Sequence, residues 1–397
     1  MKVYLCGSVV ADTILLVEKC LQHAGFTVVK VCSVTTAEYR KGTASRGLGR
    51  LWLRFRMYVA QLIRVVWQVT FAPRGSVFIA QTNPFFVPCV VALIGKLRGF
   101  RVIHYMSDLF PDAIEVNRPA SPMLVGVVGL MTKLSLKYSS AVVFLGEILK
   151  LHCEKRWGRP HTTAIIPVGT DETPFERLGL TSHNGRLNCH FGGQLGKMHD
   201  IPTLISCVRT LHEGTSLDRS KFWFSFRSSG EHFESLRESF KDLPIEVAGP
   251  FLNWQKEITA FQLGLVSISP AAGTVCNPGR TYSMFAAGIA VVAICPAWSD
   301  LGKLIVELDL GWVVNNSPFS TFAELEAGNY FERIRAKRDT HEVAKEFCAV
   351  ISRVIANPDE LQRKRENARR VSIANFGVKP LASLWQKVIV PAPQSIC

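Results

Sequence analysis

The 397-residue chain contains 11 cysteines but no Cys-x-x-Cys pair, and no Cys/His cluster has zinc-finger spacing. Cys6, Cys20, Cys32, Cys89, Cys153, Cys189, Cys207, Cys276, Cys295, Cys348 and Cys397 are odd in number and scattered. That argues against a disulfide framework and fits reduced, mostly buried thiols in a cytoplasm. No charged-then-apolar leader opens the chain: Met1-Lys2-Val3-Tyr4-Leu5-Cys6-Gly7-Ser8 is a short apolar run leading to glycine, the pattern of a first Rossmann-type strand. No run of about eighteen apolar residues is available to span a bilayer. Residues 59–72 are interrupted by Gln61, Arg64 and Gln68, and residues 77–95 by Gln81, Asn83, Pro84 and Pro88. There is no low-complexity segment. The turn after the first strand has only Gly7 and lacks Gly-x-Gly-x-x-Gly, so it carries no dinucleotide fingerprint.

Acid is missing from one region. Between Glu38 and Asp108 there is no Asp or Glu, but there are eleven basic residues: Arg40, Lys41, Arg46, Arg50, Arg54, Arg56, Arg64, Arg74, Lys96, Arg98 and Arg101. Residues 1–160 hold 21 Lys/Arg against 8 Asp/Glu, a net of +13, and the rest of the chain holds 25 against 24, a net of +1. So nearly all of the formal +14 lies in the first part of the chain. That asymmetry favours an anionic partner, either membrane phospholipid or nucleic acid. Within it, residues 44–72 place Leu51, Trp52, Phe55, Tyr58, Val59, Leu62, Val66 and Trp67 on one helical stripe and the arginines on another. This reads as a basic amphipathic helix suited to an anionic membrane interface. The plainer alternative is a helix packed on a sheet with a solvated basic face.

The chain's composition, 48% hydrophobic and 20% charged, is that of a globular protein of two or three domains. Strand and helix patterns alternate: strand 2–7, helix 9–24, strand 26–33, then strands at 76–80, 101–106, 141–145 and 163–167 separated by helical segments. A polar loop spans about 171–187. A second series follows, with strands from 187 and at 222–226, 245–248, 265–269, 290–294 and 312–314. Charged helical segments follow from 320, including 359–371, and a last amphipathic helix spans 376–390. Alternation of this kind predicts two doubly wound parallel sheets.

Three loops carry candidate chemistry. Asn277-Pro278-Gly279-Arg280-Thr281-Tyr282 opens a helix that ends at Gly288 and runs into an apolar strand. Pro278 suits a first helical turn and Gly288 a left-handed cap. A helix N-terminus after a parallel strand is an anion site, and Arg280 adds a cation there. Gly192-Gly193-Gln194-Leu195-Gly196-Lys197-Met198-His199-Asp200 is a glycine-rich turn entering a second helix, with Lys197 able to neutralise a phosphate. Met106-Ser107-Asp108-Leu109-Phe110-Pro111-Asp112 follows a strand directly. Asp108 is the candidate base or ligand contact there. Asp112, with Glu115 three residues on, reads as a helix cap.

In this order and spacing the segments resemble those of the GT-B glycosyltransferases, in particular the large retaining family whose bacterial members build capsule, O-antigen and exopolysaccharide units. Pro167-Val168-Gly169-Thr170-Asp171 looks like its interdomain P-N-G-x-D. Gly192 to Ile201 looks like its G-N-x-G-R-x-H-D, and Pro278-Gly279-Arg280-Thr281-Tyr282 with Ala286-Ala287-Gly288-Ile289-Ala290 looks like its P-S-K-x-Y…A-A-G-x-P. Ser107 to Asp112 looks like the D-x-W-P-E of members acting on polyprenyl-diphosphosugars. Lys197 stands where Arg is usual, Arg280 where Lys is usual, and Ala290 where Pro is usual. The first two keep charge but exchange a point charge and a fork. Val275 and Ser283 stand where relatives often carry two glutamates, the second of which accepts hydrogen bonds from the nucleotide ribose.

The resemblance implies two doubly wound Rossmann-like domains facing a cleft (GT-B), with an acceptor-side domain at 1–168, a donor domain at 169–372, and a C-terminal helix at 373–397 packing back on the first. It implies a metal-independent transferase that moves a sugar, with retention, from a UDP- or GDP-sugar donor to a lipid-linked saccharide acceptor. The enzyme would work as a peripheral protein on the cytoplasmic face of the cell membrane. The catalytic residues would be Asp108, Lys197 and Arg280, and the donor contacts Gly193, Gly196, Lys197, Pro278, Gly279, Arg280 and Tyr282. No cofactor beyond the donor substrate is expected, and no Asp-x-Asp cluster is present to hold a metal. The alternatives are a GT-B sugar-nucleotide epimerase and a non-catalytic membrane-bound partner of another transferase. Nucleic acid is not an expected partner, because the basic residues alternate with a broad apolar stripe rather than with stacking aromatics.

Overall fold

The computed structural model describes residues 1–44, 47–116, 120–176, 179–180, 185–214 and 217–390. The chain divides into two compact units, Met1–Val168 together with the C-terminal segment from Val378, and Gly169–Gly377. In the first unit, strands β1 (Lys2–Cys6), β2 (Thr27–Val31), β3 (Val77–Gln81), β4 (Arg101–Met106), β5 (Ala141–Phe144) and β6 (Thr163–Ile165) pair in the order β2-β1-β3-β4-β5-β6. Every pairing is parallel. Strands covered on both faces read as continuous apolar runs; all of Val77–Gln81 is buried, and Tyr4 stacks on Phe78 at 4.8 Å. The order reverses between β1 and β3, so the loops leaving those strands bound a ligand crevice.

Helix α1 (Asp12–His23) buries Ile14, Leu16, Val17, Cys20 and Leu21. It starts later than the apolar pattern from residue 9 predicts, because Val9–Val10 pair in parallel with Val34–Thr35 instead. The basic segment is not one continuous α-helix. It comprises α2 (Leu48–Phe55) and α3 (Gln61–Phe71), joined by a π-helical turn at Arg56–Ala60. Of the sequence-predicted helix 44–72, residue 44 instead ends a separate helix, Thr36–Ala44, and residues 45 and 46 lie outside the described residues. Helices α4 (Val87–Arg98), α5 (Pro122–Tyr138) and α6 (Glu147–Trp157) complete the crossovers.

In the second unit, β7 (Leu187–Leu195), β8 (Phe222–Gly230), β9 (Glu246–Ala248), β10 (Leu263–Ser267), β11 (Ala290–Cys295) and β12 (Gly311–Asn315) pair in the order β9-β8-β7-β10-β11-β12. All are parallel. This is the order of a dinucleotide-binding Rossmann sheet, with its reversal between β7 and β10. Helices α7 (Ile201–Glu213), α8 (Gly279–Ala286), α9 (Asp300–Glu307), α10 (Thr340–Ala356) and α11 (Pro358–Val371) flank it. Phe222, Phe224 and Phe226 of β8 join Val343, Phe347 and Ile351 of α10 in one core. Each such side chain contributes about 1.5–3 kcal/mol on burial. Two doubly wound Rossmann-like units are therefore the observed fold class.

The boundary expected after residue 372 falls after Gly377. The π-helical turn Ser372–Phe376 continues α11, and Phe376 packs edge-on against Tyr282 at 5.1 Å within the second unit. The last helix, α12 (Val378–Ile389), belongs to the first unit. Trp385 meets the Tyr105 ring edge-on at 5.3 Å, and Arg101 Nη2 donates to the Val388 carbonyl at 2.8 Å.

Candidate functional site

In the second unit the two candidate loops leave the two strands where the sheet order reverses. Strand β7 runs through Gly192 and Gly193 into the turn to α7, and the loop after β10 leads to α8. Gly193 has φ +137°, a region that favours glycine. A Cβ built there would lie 3.4 Å from Arg280 Cδ and 3.5 Å from its Nε. The arginine side chain thus lies across the bare backbone of the glycine turn. Pro278 holds the N-cap position with φ −69°, and no side chain caps the N-terminus of α8. The first-turn N–H groups and the positive end of the helix are therefore left for an anion, beside a cation. At the other end, Gly288 takes φ +71° and the Ile289 N–H bonds the Met284 carbonyl at 2.9 Å, as the sequence predicts for a left-handed cap.

The turn after β7 is fastened to its neighbours. The Ser269 N–H donates to the Met198 carbonyl at 2.8 Å, and the Ser267 hydroxyl to the Asp200 carbonyl at 3.2 Å. The buried Asp200 carboxylate accepts from Lys337 Nζ at 3.1 Å and Asn316 Nδ2 at 3.0 Å, and Asn316 also donates to the Ile268 carbonyl at 2.9 Å. Asp200 therefore ties the turn to the ends of β10 and β12. Sequence reading saw it only as part of a motif, because Asn316 and Lys337 are distant in the chain. Gly196 closes the turn by accepting the His199 N–H at 3.2 Å, and half-buried Lys197 lies between them in the chain.

Electrostatically the site is cationic without its histidines. His190 is buried and stacks on Phe251 at 5.5 Å. Burial, then Arg280 and Arg227, push its imidazole down to about 3. His199 is also lowered, by burial first and then by His232 and Arg280, against the Gly196 hydrogen bond. Both rings are neutral at pH 7, so the positive field comes from the side chains of Arg280, Arg227 and Lys197. Arg227 pairs with Glu246 and stands 4.6 Å over the Phe251 ring. Ser228 Oγ, Ser269 Oγ, Asn277 Oδ1 and Thr281 Oγ1 are buried with no hydrogen-bond partner among the described residues. All four belong to segments bounding this crevice.

Tyr282, expected as a donor contact, is a core residue. It is 1% exposed, and its hydroxyl accepts from Asn277 Nδ2 at 3.1 Å. It positions Asn277 rather than facing the crevice. Val275 is buried, and Ser283 Oγ lies 3.0 Å from Thr170 Oγ1. Among the described residues no group of three or more His, Cys, Asp and Glu side chains could hold a metal ion.

Asp108 stands in the first unit, just past the C-terminal end of β4. Part of its surface reaches solvent, but protein atoms crowd the carboxyl, and that desolvation pushes it up to about 6. Beside it, Gln81 Nε2 at the end of β3 donates to Ser107 Oγ and Thr13 Oγ1, both at 3.3 Å, and Thr82 Oγ1 accepts the Ser107 N–H at 3.1 Å. Sequence reading passed over this polar cluster; the available signal was Gln81 closing an apolar strand run. Asp112 is not a cap. Pro111 occupies the N-cap position of the one-turn helix Asp112–Glu115. The buried Asp112 carboxylate instead lies 2.8 Å from His152 Nε2 and accepts from Arg156 Nη1 and Trp157 Nε1, each at 2.7 Å. Burial raises its carboxyl, but the His152 hydrogen bond and charge, Arg156 and Trp157 outweigh burial and hold it low. Arg156 also reaches Glu115 at 2.6 Å, making a structural cluster on α6.

No family model matches the chain. It is 21% identical over 285 residues to the probable glycosyltransferase WbjE of Pseudomonas aeruginosa, covering 68% of each sequence. Among solved structures it is similar to Anabaena Alr3699/HepE in complex with UDP (12% identity, TM-score 0.65, 98% of this chain and 99% of that one). It is also similar to the sucrose-phosphate synthase of Thermosynechococcus elongatus (14% identity, TM-score 0.66, 98% of each chain). A third is the E. coli trehalose-6-phosphate structure bound with UDP-2-fluoro glucose (10% identity, TM-score 0.65, 98% of this chain and 99% of that one). These likenesses extend the shared fold over nearly the whole chain.

Proposed function

We propose that the protein is a GT-B glycosyltransferase that takes a sugar from a uridine diphosphosugar. The observation that carries this is the approach of Arg280 to Gly193 at the reversal point of the second sheet. It puts a cation, a side-chain-free backbone and an uncapped helix N-terminus around one spot. A sugar nucleotide breaking its glycosidic bond develops charge on the leaving diphosphate, and preorganised donors aimed at that charge are often the largest catalytic contribution. Arg280, Lys197 and the first N–H groups of α8 do this, while Gly193 and Gly196 let the chain approach. The glycosyltransferase relative and the UDP-bound structural neighbours support the donor class.

On the same reading the acceptor is a saccharide on a polyprenyl diphosphate, transfer retains configuration, and the product enters a cell-surface polysaccharide. Asp108 orients or deprotonates the acceptor hydroxyl. Its raised carboxyl suits a base working just above its own ionisation point. The enzyme works at the inner membrane surface, held there by α2 and α3. Support for this comes from the exposure of Leu51, Trp52, Phe55, Ile63, Trp67 and Phe71 in a region with no acidic residue between Glu38 and Asp108. No helix of the described residues is long and apolar enough to cross a membrane.

A thermal-shift panel of UDP, GDP and other nucleoside diphosphates tests the donor class. Stabilisation by UDP is expected, following RT ln(1 + [L]/Kd), about 2.7 kcal/mol at a hundredfold excess over Kd. Absence of any nucleotide-dependent shift would turn the reading to the non-catalytic partner, consistent with Val275 and Ser283. Epimerised sugar from the UDP-sugar alone, without acceptor, would turn it to the epimerase.

A further inference from the structure

The arginines of the basic segment divide into two kinds. Arg56 is held by Glu38 at 2.6 Å and by the Ser33 carbonyl, and Arg64 donates to the Cys32 carbonyl. These two brace the segment against the strand ends. Arg50 and Arg54 are exposed and hold no such partner among the described residues. They stand four residues apart on α2, which puts both on one helix face. There they line a recess of about 190 Å³ with Tyr39, Leu53, Met57 and Tyr58. Leu51, Trp52, Phe55 and Val59 are 63%, 61%, 44% and 45% exposed, so the recess opens beside a broad apolar surface. Trp52 and Phe55 stack at 5.4 Å, and Trp67 and Phe71 lie 4.4 Å apart, giving an aromatic pair on each of α2 and α3.

We propose that this recess is a headgroup site for an anionic phospholipid. Arg50 and Arg54 grip the phosphoryl group while Trp52 and Phe55 enter the interface beside it. Two forked guanidiniums match a phosphate's oxygens in a way that point charges do not. Glu38 is taken up by Arg56, and no further Asp or Glu follows in the sequence before Asp108 to compete for them. The site rests on the membrane-surface reading above but adds a specific recognition to what diffuse attraction alone would give. It has no part in sugar transfer itself.

The test is sedimentation with vesicles of phosphatidylcholine alone and of phosphatidylcholine with phosphatidylglycerol. The variants are Arg50→Lys/Arg54→Lys and Arg50→Gln/Arg54→Gln, with circular dichroism to show that these exposed changes keep the fold. Diffuse attraction to an anionic surface acts on charge alone and does not distinguish Lys from Arg. A forked site does. The proposal expects the lysine pair to bind phosphatidylglycerol vesicles about tenfold more weakly than the parent, with the glutamine pair weaker still, and soluble glycerol phosphate to give no thermal shift. Lysine variants that bind like the parent overturn the recess and leave membrane binding standing. A parent protein that ignores anionic vesicles overturns both. A thermal shift with soluble glycerol phosphate that is lost in the glutamine pair, without vesicle binding, overturns the lipid as the ligand.

Discussion

Replacing Arg280 with alanine separates a diphosphate site from an ordinary strand–helix turn. The side chain is exposed, so its removal leaves no buried cavity. What it removes is a guanidinium whose Nε and Cζ lie 3.5 and 3.9 Å from a Cβ position built on Gly193. A charge developing on a ligand about 4 Å away would feel roughly 4 kcal/mol at an effective dielectric near 20. Solvent access on one side reduces this, and Lys197 with the N–H groups of α8 retains part of the field. A loss of about 1.4–3 kcal/mol of barrier remains, or tenfold to somewhat over a hundredfold in turnover. The assay is kcat with a UDP-sugar and lipid-linked acceptor, alongside UDP affinity by calorimetry and the thermal midpoint without ligand. Turnover and UDP affinity are expected to fall while the unliganded midpoint stays put. His190 provides an independent check, because Arg280 helps depress its ionisation, so NMR titration should find the ring easier to protonate in the variant. Unchanged turnover together with unchanged UDP affinity would refute the role of Arg280, and with it the assignment of this turn as the donor site.

Gly193→Ala would force a side chain onto φ +137° and against the Arg280 stem. A loss of about 1–3 kcal/mol of stability is expected by denaturant titration, with weakened UDP binding beyond it. Activity should fall with acid as Asp108 protonates near pH 6, and Asp108→Asn should abolish that limb of the pH–rate profile. The folded carboxyl lies above its ordinary 3.8, so its contribution to stability is fully present below that value and is lost as pH rises through about 6. Asp112 has the opposite sign: its lowered carboxyl contributes stability above 3.8 that is lost as pH falls through the folded value. Asp112→Ala would also leave Arg156 without its 2.7 Å contact and His152 without its 2.8 Å contact, for an expected cost of about 3–5 kcal/mol in denaturant titration.

Alternation of apolar runs with helical periods made the βα character of both units legible, because parallel strands must be apolar on both faces. Strand order was not legible. Both sheets reverse at their first strand, but one strand lies beyond it in the first (β2-β1-β3) and two in the second (β9-β8-β7-β10), and nothing in local pattern states which crossover lands where. Yet that order brings the loops after β7 and β10 together, and so Gly193 to Arg280. Local chemistry misled where a distant partner was stronger. Asp112 and Glu115 have cap spacing, but an aspartate that meets an arginine, a histidine and an indole is better satisfied there than by one backbone N–H. Tyr282 sits inside a motif of expected ligand contacts, but an aromatic side chain facing Phe376 is driven into the core by its area. The basic segment shows the same limit. Its apolar and cationic residues are plain in the sequence, but the π-turn at Arg56–Ala60 shifts the register between α2 and α3. Arg56 then points back to Glu38, while Arg50 and Arg54 stay outward. Charge-reversal of all three arginines would therefore mix a loss of membrane contact with a broken internal brace. Only substitutions confined to Arg50 and Arg54 report on the membrane surface alone.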